Sequence, residues 1–522
     1  MKLNKLLVIA ALNTTLFTSN VYAKDLQILF IPLDNRPVCS SYVKESVEPA
    51  GVKLIMPPDK LIASHLSNGN PTALLDWLKE KSIHADAAVI STDSLIYGGL
   101  VASRTHNEST QVLNARVNAL AELARDTKMK IYAFSTIMRT PRASKGRVEP
   151  PYYSEVGPSI FAYSELLDKK IQSTLPITEK LTIQALERNM KKENLGDWLE
   201  RRKKNYEINR SLIRLSLMNR FHYLAIGKDD NSPHSATHLE SCKLGRELFD
   251  VPKNQLAIID GVDQLGLLLI ARAYNEANGL TPKVQILYAP GSGANTLPQY
   301  SDATLYDSVP VQISAAGGIR TDANADMLLA INSPSDGIVK DSTYSDNQPF
   351  PNVANRNFIA QLQQLLNENK KISLADISYS NGADNGFMET LSKNVDLGRF
   401  SAYNGWNTAD NAIGYAIAQG MFAEHMSENY KHKLIRQRLI DDWYYQSNTR
   451  LAISKELSKS GREELKYDLG PSQKLILQNA ADITKSMAKK YNFTKQTNFT
   501  INFPWNRLFE VDIAITDKIK KK

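Results

Sequence analysis

Short apolar runs alternate along this chain with segments of helical periodicity, and this alternation restricts the fold more than any other feature. The runs predicted to be strands are residues 26–33, 53–56, 87–91, 130–137, 223–227, 256–260, 284–289, 309–315, 327–332, 372–377 and 399–403. Apolar spacings of three and four predict helices at 72–81, 111–128, 238–249 and 265–278. Continuously apolar strands separated by helices are typical of parallel sheets buried on both faces. We therefore predict an α/β fold of mostly parallel sheets with flanking helices, in two Rossmann-like lobes or, alternatively, barrel-like.

Two stretches interrupt the alternation. Residues 143–220 pass from a loop rich in Pro and Tyr into a charged helical region at 177–219. Beyond residue 421 come two helical patterns, 421–457 and 471–490, and a strand-like segment at 499–515. The predicted organisation is a signal peptide at 1–23, an N-terminal α/β lobe at 24–142, a helical insertion at 143–220, a second α/β lobe at 221–420, and a C-terminal helical cap with a final strand and basic tail at 421–522.

The first 23 residues have the pattern of a secretory signal peptide. Lys2 and Lys5 precede a short apolar core, and Val21 and Ala23 place small residues before Lys24. The core is too short to span a bilayer, and no later stretch is apolar for eighteen positions. We therefore expect a periplasmic or secreted protein without stable membrane insertion.

The high net charge comes mainly from the two ends of the chain. The formal charge of +8 includes two lysines in the signal segment and four among the last five residues, which leaves +2 for the body. A body this close to neutral lacks the basic surface of a nucleic-acid-binding protein. Cys39 and Cys242 either pair in an oxidising compartment or remain free thiols, and their spacing does not decide between the two.

Polar residues follow most of the predicted strands, where parallel α/β sheets bind their ligands. The catalytic candidates are Asp229, Asp230, Asp34, Asp93 and Asp376. The substrate-binding candidates are Arg36, Arg104, Arg139, Asp263, Asn381, Asp384, Trp406 and Asn407. Carboxylates that converge in one cleft acquire different pKa values and divide acid and base roles, as in glycosidases. The alternative for any one aspartate is that it caps the next helix.

Trp406 and Asn407 together suit a sugar ring, because an indole face packs against its C–H groups and an amide bonds its hydroxyls. The alternative is a buried tryptophan beside a helix cap at Thr408. His234, His238 and Glu240 follow the Asp229–Asp230 pair and form a weak pattern for a divalent metal. No cofactor is otherwise predicted.

Several phrases share their order and spacing with a known family. They are PLDNRPV, STDSLIYGGLVASR, GKDD, DGVDQLG, ADISYSNGAD and AYNGWNTADNAIG. Over residues 29–515 the chain resembles a bacterial exported family of uncharacterised proteins, domain of unknown function number 4127. The resemblance implies carboxylates at the positions of Asp34, Asp93, Asp229, Asp230, Glu240, Asp263, Asp376 and Asp384. It also implies an acid at position 264, where this chain has Gln264.

These observations predict an exported hydrolase that acts on a glycan or cell-envelope saccharide by carboxylate acid/base catalysis. Its partner would be a small-molecule or glycan substrate. Two alternatives stay open. One is a metal-dependent hydrolase, and the other is a periplasmic solute-binding protein that holds its ligand without catalysis.

Overall fold

The computed structural model describes residues 26–248, 252 and 254–517. The predicted signal peptide at 1–23 and the basic tail at 518–522 lie outside the described residues.

The first half of the chain builds a six-stranded sheet. Its strands are β1 (Leu26–Ile31), β2 (Val52–Ile55), β3 (Ala87–Ser91), β4 (Lys130–Ile137), β5 (Tyr223–Lys228) and β6 (Leu256–Asp260). Their order is β2-β1-β3-β4-β5-β6, and every neighbouring pair is parallel. Every residue of β3 and of β5 is buried, which explains their unbroken apolar runs.

The second half builds a five-stranded sheet and a small parallel pair. The strands are β7 (Lys283–Tyr288), β8 (Ile319–Arg320), β9 (Met327–Asn332), β10 (Lys340–Asp341), β11 (Ile372–Asp376), β12 (Tyr379–Ser380) and β13 (Ala402–Asn404). The sheet order is β13-β11-β9-β7-β8, again all parallel, and β10 pairs with β12. Both large sheets are open. The predicted parallel α/β fold is therefore confirmed, and the barrel-like alternative is wrong.

Helices cover both sheets. They are α1 (Ser41–Val47), α2 (Pro71–Lys81), α3 (Thr92–Ile96), α4 (Leu100–Thr105), α5 (Thr110–Asp126), α6 (Tyr153–Gln172), α7 (Ile177–Asn189), α8 (Lys192–Leu217), α9 (Ala236–Glu247), α10 (Leu265–Ala277), α11 (Leu305–Ala315), α12 (Val353–Asn367), α13 (Asn385–Asn394), α14 (Ala409–Ala423), α15 (Glu428–Arg438), α16 (Arg450–Lys459) and α17 (Gln473–Ala488). Helix α10 packs on the first sheet, α14 packs on the second, and the two helices contact each other. Because α14 is buried along its whole length, its apolar residues need no polar face. The two sheets thus share one core.

Three predicted elements differ in the structure. Residues 309–315 form the end of α11 instead of a strand, because Leu305, Val309 and Ile313 bury one helical face. Strands β5 and β6, which follow the predicted lobe boundary at residue 221, belong to the first sheet. The insertion, α6 to α8, lies within the connection from β4 to β5, two neighbouring strands of the same sheet. Apolar patterning predicts a strand but does not reveal which sheet that strand joins.

The C-terminal region differs in detail from the two long helices expected. Between α15 and α16 the chain forms a π-helix, Leu439–Thr449. The last predicted strand is an antiparallel pair, β14 (Phe499–Asn502) and β15 (Asp512–Ile515). The loop between them reaches the first sheet, where the Trp505 Nε1–H donates to Asn35 Oδ1 at 2.7 Å. The end of the chain therefore contacts the loop that follows β1.

Candidate functional site

One large cavity, of about 830 Å³, lies where the carboxyl ends of the two sheets face each other, and the C-terminal region covers it. The first lobe contributes charged residues that follow β1, β4, β5 and β6 and one on α4. The second lobe contributes residues that follow β7, β12 and β13 and one in β10. The lining residues used below are Arg36, Arg104, Arg139, Lys145, Asp229, Asp230, Asp263, Tyr300, Asp341, Asn381, Asn407, Arg450, Lys455, Lys459, Lys466, Tyr467, Trp505, Arg507 and Glu510.

Asp229 and Asp230 directly follow β5 at the cavity, and charged side chains of alternating sign hold them there. Arg104 donates to Asp229 Oδ2 at 2.6 and 2.9 Å, and Arg139 donates to Asp230 Oδ2 at 2.5 Å. The Glu149 carboxylate lies between the two guanidiniums, 2.6 Å from Arg139 and 3.6 Å from Arg104. The Asp230 side chain is 27% exposed, whereas the Asp229 side chain is 4% exposed. Asp230 is therefore the member of the pair that a ligand can touch.

Burial separates the pKa values along this chain. Burial raises the pKa of Asp229, and the neighbouring Asp230 charge adds to this effect against the opposing pull of Arg104. For Glu149, burial favours the neutral acid, but Arg139 and Arg104 outweigh it and lower the pKa. The pKa of Asp229 is thus displaced upwards and that of Glu149 downwards.

Arg36 organises a second cluster at the end of β1. Its guanidinium bonds both Asp34 oxygens at 3.0 Å and both Asp263 oxygens at 2.6 and 3.0 Å. Asn407 donates to Asp263 at 3.0 Å, which ties the second lobe to the first. All of these groups except Asn407 are buried. The Arg36 cluster therefore positions the cavity wall.

The opposite wall carries Asp341, Asn381 and Tyr300. The Asn381 amide donates to Asp341 Oδ2 at 2.8 Å. Burial favours the neutral acid, but Arg450 and hydrogen bonds from Asn381 and Thr343 together lower the pKa of Asp341. Burial, with the charges of Asp230 and Asp341 nearby, raises the pKa of Tyr300 to about 12, so its phenol keeps its proton.

Unusual backbone conformations occur at this cavity. Asp230, Tyr300 and Asn381 have φ values of +32°, +69° and +59°, a region that costs side-chain-bearing residues energy. Asparagine tolerates it, but tyrosine does not readily. Strain of this kind concentrates at binding and catalytic sites, where surrounding contacts hold a side chain in place.

The cavity unites eight of the thirteen candidate residues and leaves five outside its lining. Those that line it are Arg36, Arg104, Arg139, Asp229, Asp230, Asp263, Asn381 and Asn407. Asp34, Asp93, Asp376, Asp384 and Trp406 do not line it. All five are buried.

The excluded residues have structural partners. Asp376 accepts hydrogen bonds from Asn332 Nδ2 at 2.8 Å and from the Asp384 backbone N–H at 2.9 Å. Asp384 caps α13 through the Phe387 N–H, and Thr408 caps α14. The Trp406 ring packs against Phe509, with ring centroids 5.6 Å apart, and is not a platform for a sugar in the cavity. For Asp384 and Thr408 the structure therefore shows the helix cap that the sequence analysis gave as the alternative.

Gln264 also lies outside the cavity lining. It is fully buried and donates from Nε2 to the Asp260 carbonyl at 2.7 Å. Position 264 therefore lies in the core beside the site.

Asp93 yields a pH-dependent prediction. Burial raises its pKa to about 7, and the Asp229 charge contributes. Because the unfolded pKa is 3.8, protonation favours the folded chain, and this stability is complete below about pH 4 and is lost as pH rises through 7. We expect Asp93→Asn to gain up to about 4 kcal/mol relative to wild type between pH 4 and 8. Urea denaturation across this range measures the gain, with exposed Asp482→Asn as control. A difference independent of pH would contradict the assignment.

The weak metal pattern is not assembled. Glu240 pairs with Arg202 at 2.8 Å, and the His238 Nδ1 contacts Asp168 at 2.6 Å. Within residues 26–248, 252 and 254–517, no three His, Cys, Asp or Glu side chains are placed to hold a metal ion. Cys39 is buried and Cys242 is exposed, and they are not bonded to each other.

Sequence reasoning missed Glu149, Tyr300, Asp341 and the lysines of the C-terminal region. Glu149 stands in the Pro- and Tyr-rich loop at the start of the insertion, where an acid before two prolines was the only signal. Asp341 belongs to a two-residue strand that apolar patterning does not detect.

Comparison with known proteins supplies a family but no activity. A family model described as protein of unknown function (DUF4127) matches residues 28–514. No curated protein and no solved structure matches the chain. In the described part of the chain, none of the helices has both the length and the apolar character needed to cross a membrane.

Proposed function

We propose that the chain, which belongs to the DUF4127 family of proteins of unknown function, is an exported hydrolase that acts on a glycan or cell-envelope saccharide. One observation carries the proposal. Carboxylates with oppositely shifted pKa values line one cavity, with Asp229 raised beside Asp230 and Asp341 lowered on the other wall. Such a divergence separates an acid from a base.

The roles follow from exposure and charge. Asp230 is the member of the pair exposed to the cavity and would exchange the proton with the leaving oxygen, beside Asp229, whose pKa burial raises. Asp341, ionised and facing it, would activate water or attack the substrate directly. Tyr300, Asn381 and Asn407 would donate hydrogen bonds to substrate hydroxyls.

The proposal is tested by incubating the purified protein with a panel of envelope-derived oligosaccharides and measuring new reducing ends. We expect release with at least one member, and loss of release when Asp230 is changed. The absence of hydrolysis for every oligosaccharide that raises the melting temperature would refute the hydrolase and favour a binding protein.

A solute-binding protein without catalysis is less well supported. Such proteins commonly close two separate lobes about a hinge. Here α10 and α14 join the two sheets through one core cluster, which opposes independent lobe motion. The paired carboxylates also exceed what hydrogen-bonded ligand capture requires.

Export itself is part of the proposal and has its own test. We expect the protein recovered from the periplasm or the medium to begin at Lys24, because Val21 and Ala23 suit signal peptidase. Intact mass spectrometry of the secreted protein, compared with an Ala23→Arg variant that blocks cleavage, measures this. Recovery of a chain that retains Met1 from the cytoplasm would exclude export by this segment.

A further inference from the structure

The charges that line the cavity are unequal. Nine Lys and Arg side chains line it against five Asp and Glu side chains. Four of the nine are lysines near the mouth, one in the loop after β4 and three in the C-terminal region. We call Lys145, Lys455, Lys459 and Lys466 the lysine ledge. This excess of positive charge must be balanced by carboxylates of the protein outside the lining or by a bound anion.

The arginines deeper in the cavity do not provide the excess. Arg36 pairs with Asp34 and Asp263, and Arg104 pairs with Asp229. Arg139 pairs with Glu149 and Asp230, and Arg507 pairs with Glu510. These four guanidiniums are paired with carboxylates of the protein. The fifth lining arginine, Arg450, donates to the carbonyl oxygens of Gln446 and Asn381 and lowers the pKa of Asp341. The exposed charge without a carboxylate partner therefore lies on the ledge, at Lys455 and Lys459.

The two ledge lysines on α16 lack a carboxylate partner. Lys455 and Lys459 are exposed and one helical turn apart on α16, a spacing at which like charges repel. Within the described residues, no carboxylate oxygen lies within 4.0 Å of either ammonium. Lys466 donates to Ser458 Oγ at 2.6 Å and to Glu463 Oε1 at 3.4 Å, and the Lys145 ammonium lies over the Tyr467 ring, 5.5 Å from its centroid. All four lysines line the same cavity as Asp230.

We propose that the lysine ledge binds an anionic group of the substrate, which makes the substrate of this cavity a negatively charged saccharide. The inference rests on the proposed function, since it names the substrate class of the same site. A phosphate ester and a uronic acid carboxylate share the chemistry that ammonium groups recognise. Bound there, the anion would hold the saccharide while its scissile bond lies by Asp230 and Asp341.

Calorimetric titration of the full mature chain at low ionic strength tests the ledge with glucose, glucose 6-phosphate, glucuronate and inorganic phosphate as probes. We expect each anionic sugar to bind at least about tenfold more tightly than glucose, and added salt to weaken only the anionic probes. The Lys455→Gln/Lys459→Gln variant should lose about tenfold in affinity for the anionic sugars and none for glucose. Lys485→Gln/Lys489→Gln, at exposed positions in the last turn of α17 and just after it, is the charge-matched control.

The probes distinguish the sources of the anion. Preference for glucose 6-phosphate together with competition by inorganic phosphate would identify a phosphate site, and preference for glucuronate would identify a carboxylate site. Equal affinity for glucose and both anionic sugars, or equal losses in the ledge and control variants, would overturn the proposal.

The two proposals fail separately. Hydrolysis of neutral oligosaccharides without a preference for anionic ones would refute anion binding at the ledge and leave the proposed hydrolase activity standing. Selective binding of anionic sugars without hydrolysis would support the ledge as a binding site and refute catalysis.

Discussion

The Asp230→Asn variant is expected to lose turnover by about 10²–10⁴-fold, the usual contribution of a general acid or base, while it melts no lower than wild type. The carboxylate is partly exposed, and its partner Arg139 keeps Glu149 at 2.6 Å, so no buried charge is left alone. Asparagine also tolerates the positive φ at this position. Hydrolysis rate and melting temperature measured on one preparation test both statements.

Asp322→Asn is the matched control, since the Asp322 side chain is 90% exposed. Asp229→Asn should behave differently from Asp230→Asn, because it removes the negative charge that pairs with buried Arg104 and so lowers stability as well as activity. A destabilised but fully active Asp230→Asn protein would assign that residue to structure alone.

Arg36→Met is expected to cost about 3–5 kcal/mol of unfolding free energy, the largest stability effect that we predict. The substitution keeps much of the side-chain volume but leaves the Asp34 and Asp263 carboxylates buried without their shared cation. It also removes the cation from the face of Trp505, 5.2 Å from the ring centroid. Urea denaturation at pH 7 measures the loss.

A second set of substitutions tests whether the unpaired Asp34 and Asp263 carboxylates cause the loss of stability. Adding Asp34→Asn and Asp263→Asn to Arg36→Met should recover part of the lost stability, since no buried carboxylate then lacks a partner. Arg125→Met, at an exposed pair with Asp126, should change stability little. If Arg36→Met is as stable as the Arg125 variant, the cluster does not support the fold.

The fold was predictable because burial on both faces leaves a direct trace in sequence. Strands such as β3 and β5 are apolar at every position or nearly so, and this pattern survives without knowledge of their neighbours. Sheet membership leaves no such trace. Strand β5 is separated from β4 by the whole helical insertion, yet it pairs with β4 along six residues.

The site was predictable to the extent that strand ends converge. Asp229 and Asp230 follow a buried strand and do reach the cavity, whereas Asp376 follows an equally buried strand and is satisfied inside the protein by Asn332. The sequence cannot separate these cases, because the distinction depends on partners 44 residues away or more. Asp341 could not be predicted from the sequence, because it belongs to a two-residue strand that no apolar run marks.

The contact between Trp505 and Asn35 joins the two ends of the described chain, so it forms only after nearly the whole chain has been synthesised. The two residues are 470 positions apart, and Tyr42 likewise accepts a hydrogen bond from the Ile513 N–H at 2.8 Å. Both large sheets can be synthesised in full before these partners emerge. The strand-end residues of the cavity are therefore made before Trp505 and residues 507–510 complete its lining. Closing a loop of this length is slow compared with local helix formation. A chain that ended after residue 490 would keep all its strand-end carboxylates but lack the part of the cavity lining formed by Trp505 and by residues 507–510.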